Sequence, residues 1–456
     1  MTRTTLTFWS GLRTIGGNIV EICHGDDRVI FDFGLVYDPK SSFLNKATIS
    51  KKTYTADMLK LGAIPAIDEI YSSVDLEQME NVKPYDQGSS RNTAVYISHL
   101  HLDHIGAIDT IAEQIPVYMS EDSKKLYEAF CKTDQPFSRE REVTGVTYQK
   151  EKHMGQIKIT PFQTDHDVFG AMALLIETPD VTILYSGDIR MHGKHPEYNE
   201  RMLAHLAQVD IDLLLIEGTA FRPEELKVKP LLQIESDIQK HVVELIATSE
   251  KLALFNLYHL NLDRIQQFIA AAKETSREIV FEVETAYIVD QLLPQEEIAV
   301  YDNERMNYET DWKQVLINKY PRVTNEQINK NPGNYLVQSS FQYVMNLLDI
   351  SENTAVYLHS NGMPLGKFDP NYDRLLALLA HLDVEYHSLD VSGHATEEDI
   401  LEIIAKIHPQ LVIPWHSHYP ELVVPKDPDQ AVFLPKPKTV YYFNDGQLKE
   451  GETEQK

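Results

Sequence analysis

Short apolar or alternating runs at residues 6–9, 18–24 and 28–33 predict strands, the last two joined by a Gly25, Asp26, Asp27 turn as in an antiparallel hairpin. The stretch 34–92 is polar and carries Pro39, Ser41, Ser42, Pro65 and Gly88. It is too long for a simple connection and reads as an insertion of helix and loop near a functional edge. From residue 93 the period alternates, predicting a buried strand at 93–98, a helix at 105–114, a strand at 117–119 and a helix at 120–130. Further strands are expected at 157–162, 172–177, 181–186 and 211–216.

Beyond Glu217 the character changes. Residues 226–385 form their own α/β pattern, with helices at 232–248 (Ile234, Ile238, Val242 and Ile246 on one stripe) and 261–273. Strands at 252–257, 279–283 and 355–359 complete it. A strand at 384–389, a helix at 397–407 opened by a capping-box-like Thr396 and Asp399, and a strand at 411–414 resume the earlier style. The expected organisation is α/β throughout: a first domain over 1–220, a second unit over 221–385, a completing part over 386–447 and a polar, frayed tail over 448–456.

Composition narrows the class. With 456 residues, 43% apolar and 24% charged, the chain suits a soluble globular protein of two or three domains. Its 42 Lys+Arg against 69 Asp+Glu leave a net charge of −27, which argues against a general nucleic-acid coat. Any grip on a polyanion then needs basic residues concentrated along one groove, with acidic surface elsewhere. Cys23 and Cys131 are far apart and in no paired motif, so neither a disulfide framework nor a thiolate zinc site is indicated, and a reducing, cytoplasmic setting fits. No secretory signal opens the chain, and no run approaches the roughly 18 apolar residues that span a bilayer, so no membrane anchor is expected.

The chemistry concentrates in the 18 histidines. His99, His101, Asp103 and His104 lie within six residues, at the end of an apolar strand and before a helix. Side chains at i and i+2 leaving a strand share a face, so His99 and His101 can converge on one ion while the turn aims Asp103 and His104 at a neighbouring position. Packed together without an ion, such groups would cost desolvation free energy. Similar candidates recur at other strand ends: Asp165, His166 and Asp167; Asp188 after Gly187; His394 in Ser392, Gly393, His394; and His416 after Trp415.

The series His99, His101, Asp103, His104, then His166, then Gly187 and Asp188, resembles the motifs of the metallo-β-lactamase superfamily, whose fold is an αββα sandwich with a dinuclear metal site at its edge. Asp32 matches that family's early structural aspartate. Glu217, His394 and His416 are similar to the acidic and two histidine motifs of the β-CASP nucleases, which carry an α/β domain inserted between the first and second of them. Ile15 to Asn18 and Leu260 to Gln266 resemble ribonuclease J. The likeness runs from about residue 4 to 445. It departs in the 35–92 insertion, in His418 where that group tends to carry an acid, and in having no C-terminal domain of the ribonuclease J type.

The resemblance implies an inserted β-CASP domain at 221–385 and two divalent ions, zinc first and manganese second. His99, His101, His166 and a bridging Asp188 hold one; Asp103, His104, Asp188 and His416 hold the other. His394 is then free to contact the scissile phosphate or protonate the leaving oxygen, with Asp103 and Glu217 as its catalytic companions, Glu217 by orienting a histidine that ligates metal. Ser392, Gly393 and Ser360 are candidate phosphate contacts. The expected activity is RNA hydrolysis by exo- or endonuclease action, with DNA as another possible substrate and a homodimer as a possible assembly. Hydrolysis of a small ester, thioester or lactam, or a non-catalytic scaffold, are the alternatives. The other histidines have no defensible partner pattern and are expected to be structural or solvated.

Overall fold

In the Ile19–His24 and Asp27–Phe31 strands, Val20, Ile22, Val29 and Phe31 enter one apolar layer while Ile19 and Ile30 enter another, the two-residue period of a sheet covered on both faces. The computed structural model describes residues 2–36, 50–77, 79–86, 88–134, 136–227, 232–350, 355–444 and 446–451. Among these residues the strands form three sheets. The first runs, edge to edge, through Gln447–Glu450, Val440–Asn444, Thr4–Ser10, Ile19–His24, Asp27–Phe31, Asn92–Tyr96, Val117–Ser120 and Thr144–Val146. The second runs through Ala431–Val432, Leu411–Trp415, Leu213–Glu217, Thr182–Tyr185, Met172–Glu177, Ile157–Gln163 and Lys152–Met154.

These two sheets face each other across Phe8, Val20, Phe31, Tyr96, Leu174, Tyr185, Leu215 and Trp415. The Pro196–Leu206 and Glu397–Ile407 helices cover the outer face of the second. The Glu121–Thr133 helix covers that of the first. The result is the αββα sandwich that the motifs imply.

The third sheet is parallel throughout, in the order Arg322–Thr324, Ala299–Asp302, Glu278–Phe281, Tyr335–Gln338, Leu252–Leu257, Ala355–Ser360 and Glu385–Ser388. Its last strand differs from expectation. Residues 384–389 read as part of the sandwich, but Glu385–Ser388 pairs beside Ala355–Ser360, because an isolated alternating run does not specify which sheet edge it joins.

Three other expectations change. The helix expected over 105–114 is a single turn, Leu102–Ile105, followed by a 3₁₀ turn at Ile108–Thr110. Neighbouring chain takes the backbone groups a longer helix would use: Phe33 N donates to His104 O, Leu35 N to Leu102 O, and Ala107 N to Phe33 O. The helix expected over 232–248 shortens to Ile238–Ile246 after a 3₁₀ turn at Glu235–Asp237. The tail is not frayed at its start, since Gln447–Glu450 pairs with Val440–Asn444, while 452–456 lie outside the described residues.

Within the 34–92 segment, the Tyr54–Lys60 helix and Ile64, Ile67, Ile70 and Tyr71 pack into the core. Pro39, Ser41 and Ser42 lie outside the described residues. No helix among the described residues is long and apolar enough to cross a membrane.

Candidate metal centre

Five strands deliver the candidate side chains to one edge of the sandwich. Asn92–Tyr96 leads to His99, Ile157–Gln163 to His166, Thr182–Tyr185 to Asp188, Leu213–Glu217 ends on Glu217, and Leu411–Trp415 leads to His416. The Leu102–Ile105 turn carries Asp103 and His104. It lies so close to the loop at residue 34 that a Cβ on Gly34 would stand 1.7 Å from Asp103 O, so only glycine fits there.

Three imidazoles converge. Nε2 of His99 and Nε2 of His166 each lie 3.1 Å from Nδ1 of His101. Asp188 joins this group, with all four ligand atoms within 4.8 Å of one another. Asp103, His104 and His416 form a second such group. Asp188 lies between the two: its Oδ2 is 3.1 Å from His104 Nε2 and 3.7 Å from His99 Nε2, and its Oδ1 is 3.7 Å from His416 Nδ1.

The far nitrogen of each buried ring is held by the protein. His104 Nδ1–H donates to Asp32 (2.7 Å), His166 Nδ1–H to Gly393 O (2.6 Å), and His416 Nδ1–H to Thr219 Oγ1 (2.8 Å). His99 Nδ1 is 3.0 Å from Ser98 Oγ, which itself donates to Asp32 (2.9 Å). Asp32 also accepts from Ser98 N and Tyr185 OH. Such outer partners fix ring orientation and leave the opposite nitrogen for a metal. Imidazole spacings near roughly 3 Å, with carboxylates and no thiolate, fit divalent ions bound at about 2 Å.

Electrostatics divide the donor set: burial lowers His104 but Asp188, Asp32 and Asp103 outweigh it and hold that ring well above the usual histidine range, while its neighbours go the other way. Burial, reinforced by the neighbouring His104 and His166, holds His99 well below the usual histidine range, so its ring is a neutral donor. Burial likewise brings His166 down to about 3, against the opposing charge of Asp167. For Asp188 burial acts upward, but His104 and His416 outweigh it and keep the carboxyl well below its ordinary value.

His394 stands at the mouth, 22% exposed. Its Nδ1–H donates to Glu217 Oε2 (3.1 Å), and Glu217, wholly buried, also accepts from Ile189 N and Thr219 N. Burial alone would lower the His394 imidazole; Glu217 and Asp188 outweigh it and push it up to about 10. Glu217 therefore orients His394 itself. It also falls, with Asp188, His394 and His416, in a third set of groups close enough to share an ion.

Ser392 is exposed, and its hydroxyl closes a turn on His394 N and O. Gly393 is required by close approach, since a Cβ there would meet Asp167 at 2.5 Å. Ser360 does not reach the centre. It is fully buried, donating to Leu389 O and accepting from Arg264, so burial leaves no hydroxyl for a phosphate. His418 is exposed, and His416 alone of the two lies in the centre, 3.1 Å from Asp103.

Sequence reasoning gave no role to several participants. Asp167 lies 3.2 Å from His166 and 3.4 Å from His101. Asn18 Nδ2 is 3.0 Å from His104 Nε2, and Thr219 holds His416. Asp167 directly follows His166 and Thr219 lies two residues after Glu217, and that proximity was the available signal. Tyr258, from the loop after Leu252–Leu257, packs its ring 5.3 Å from His101 and had no local signal at all. Of the histidines without an assigned pattern, His259 pairs with Asp134 (2.7 Å) and His192 Nε2–H donates to Ser392 O (3.1 Å).

A family model for a beta-lactamase superfamily domain matches residues 72–281. Ribonuclease J of Pyrococcus abyssi is 25% identical over 457 residues, covering 90% of this chain and 90% of that protein. Ribonuclease J 2 of Streptococcus pyogenes serotype M3 is 23% identical over 437 residues, covering 92% of this chain and 71% of that protein. A crystal structure of a protein of unknown function from Enterococcus faecalis V583 is 27% identical, with a TM-score of 0.79 over 97% of this chain and 100% of that one. With the sandwich and its edge of converging histidines, these likenesses support a ribonuclease J-like protein of the metallo-β-lactamase fold.

Proposed function

We propose that the protein is a metal-dependent ribonuclease that hydrolyses phosphodiester bonds of RNA. The observation that carries this reading is Asp188 lying between two groups of buried histidines, with the His394–Glu217 pair beside it at the mouth. The ribonuclease J relatives supply the substrate class. Arg13, paired with Glu421, and Arg222, donating to Thr219 O, put cations on loops next to His416 in a chain of net charge −27.

In this reading His99, His101, His166 and Asp188 hold one ion, and Asp103, His104, His416 and Asp188 the other, with zinc preferred and manganese accepted. Two divalent ions held there would supply Lewis acidity toward a water and toward the phosphate. Glu217 holds His394 Nδ1 and aims the ring at the mouth, where it contacts the scissile phosphate or protonates the leaving oxygen. Asp103, held against His416, keeps that ring turned inward. Ser392 and Gly393 shape the loop against which the phosphate rests. Residues 1–220 and 389–447 make up the metal-bearing domain, and 221–388, which takes in the Glu385–Ser388 strand, is the insert that closes over it. The reducing cytoplasm is the setting proposed.

The test is a time course on 5′-monophosphorylated, 5′-triphosphorylated and circular RNA, with matched DNA, at defined zinc and manganese. Mononucleotide products report exonuclease action and a cut circle reports endonuclease action; turnover of small thioesters with no cleavage of RNA would replace this reading. Replacing His394 by alanine should lower kcat by about 10²- to 10⁴-fold with metal content unchanged. Chelation should lower Tm, and zinc or manganese should restore it, since a ligand at a thousandfold over its Kd stabilises the fold by about 4 kcal/mol. Calorimetry checks this; a Tm indifferent to both ions would count against the ligand assignment.

A further inference from the structure

The mechanism leaves unused a row of charges sealed between the sandwich and the insert. Asp165 accepts from Arg190 Nε (3.1 Å), Arg190 Nη1 donates to Glu235 (3.0 Å), and Glu235 accepts from Arg264 Nε (2.6 Å) and Nη2 (2.7 Å). Arg190, Glu235 and Arg264 are wholly buried and Asp165 is 3% exposed. Buried ion pairs of this kind often add little net stability, because desolvation offsets their attraction. What they do is fix position.

The row has functional loops at both ends. Asp165 directly precedes His166, and its backbone O accepts from Arg190 N. At the other end Arg264 Nη1 donates to both Ser360 Oγ (2.6 Å) and Asn361 Oδ1 (3.0 Å). Ser360 in turn grips Leu389 O (3.0 Å), while Asn361 accepts from Val391 N (2.9 Å) and donates its own N–H to Asp390 (2.7 Å). The next three residues are Ser392, Gly393 and His394.

We propose that Arg264 is a positioning residue that joins the His166 loop to the His394 loop through the insert, holding the segment 389–394 at the height the reaction needs. Only a planar guanidinium spans Glu235 with one edge and two further acceptors with the other; an ammonium at that place keeps the charge and loses the fork. The insert is then part of the catalytic framework as well as a cover for it.

The kinetic half of the test rests on the ribonuclease reading; the exchange half does not. Three variants separate positioning from general stability. Arg264→Lys breaks the fork. Asn361→Gly keeps a backbone at φ 55° while removing the amide that holds Val391. Arg277→Lys is the control: it disturbs a buried arginine of the same insert that donates to Lys251 O, Tyr335 O, Ile246 O and Ser249 O, away from the 389–394 segment.

Arg264→Lys and Asn361→Gly are expected to lower kcat on single-stranded RNA by about 10- to 100-fold, at nearly constant KM and metal content, and to speed amide hydrogen exchange over 389–395. Arg277→Lys is expected to lower Tm while leaving both readouts as in the unmodified protein. Exchange over 389–395 unchanged in the first two variants, or altered equally in the control, overturns the proposal. If the unmodified protein cleaves no RNA, the ribonuclease reading falls, and hydrogen exchange alone decides the role of Arg264.

Discussion

Replacing Asp188 by asparagine should remove RNA cleavage almost entirely, by on the order of 10³-fold or more in kcat, with the fold retained. The two oxygens of Asp188 lie within 3.1 to 3.7 Å of ring nitrogens of His104, His99, His394 and His416, and it is 2% exposed. The substitution removes the negative charge that lies between the two histidine groups and replaces one lone-pair oxygen by an NH₂ group, which offers no lone pair to an ion. Metal content by elemental analysis should fall together with kcat, while far-UV circular dichroism stays constant. Full metal content with undiminished turnover would remove Asp188 from the role of shared ligand.

The second large effect concerns stability and lies in the insert. Glu282 is 3% exposed, at the carboxyl end of the Glu278–Phe281 strand, where its Oε1 accepts from Ser340 N (2.8 Å). Burial raises its carboxyl from 4.5 to about 7, helped by Glu284 and opposed by the Ser340 hydrogen bonds and His259. The folded state therefore keeps a proton that the unfolded chain has released between these values. Stability attributable to this group is fully present at low pH, falls as pH rises from about 4.5 to 7, and is flat above. The loss totals about 3 kcal/mol at roughly 1.4 kcal/mol per unit. Glu282→Gln holds the site neutral at every pH and keeps a carbonyl for Ser340 N. It should match the unmodified protein at pH 4.5 and exceed it by about 3 kcal/mol at pH 8 in urea denaturation. Parallel pH profiles for the two proteins would show that Glu282 is not the group responsible.

What the sequence discloses follows from how local each feature is. His99, His101, Asp103 and His104 are legible because four candidate ligands crowd into six residues, and the strand preceding them sets their direction. Tyr258 reaches the same centre only through folding, so no spacing announces it. Ser360 was misjudged because a serine at a strand end looks free until Arg264 and Leu389 O are seen to occupy its hydroxyl. The 105–114 helix failed for a related reason. Its apolar period is sound, but the period cannot register that residues 33–35 compete for its peptide groups. The sandwich itself was recoverable, since its strands alternate or run apolar where both faces are covered.

The first sheet pairs Thr5 with Tyr442 and Leu6 with Tyr441, and the centre draws on residues from His99 to His416. A chain emerging from the ribosome at about 5–20 residues per second therefore waits roughly 15–60 s between exposing its first metal-seeking histidine and its last. Throughout that interval the polypeptide is tethered to a messenger RNA while its hydrolytic apparatus is still in pieces. The same long-range closure means that a chain stopping short of residue 416 cannot bring Asp103 and His104 together with their histidine partner.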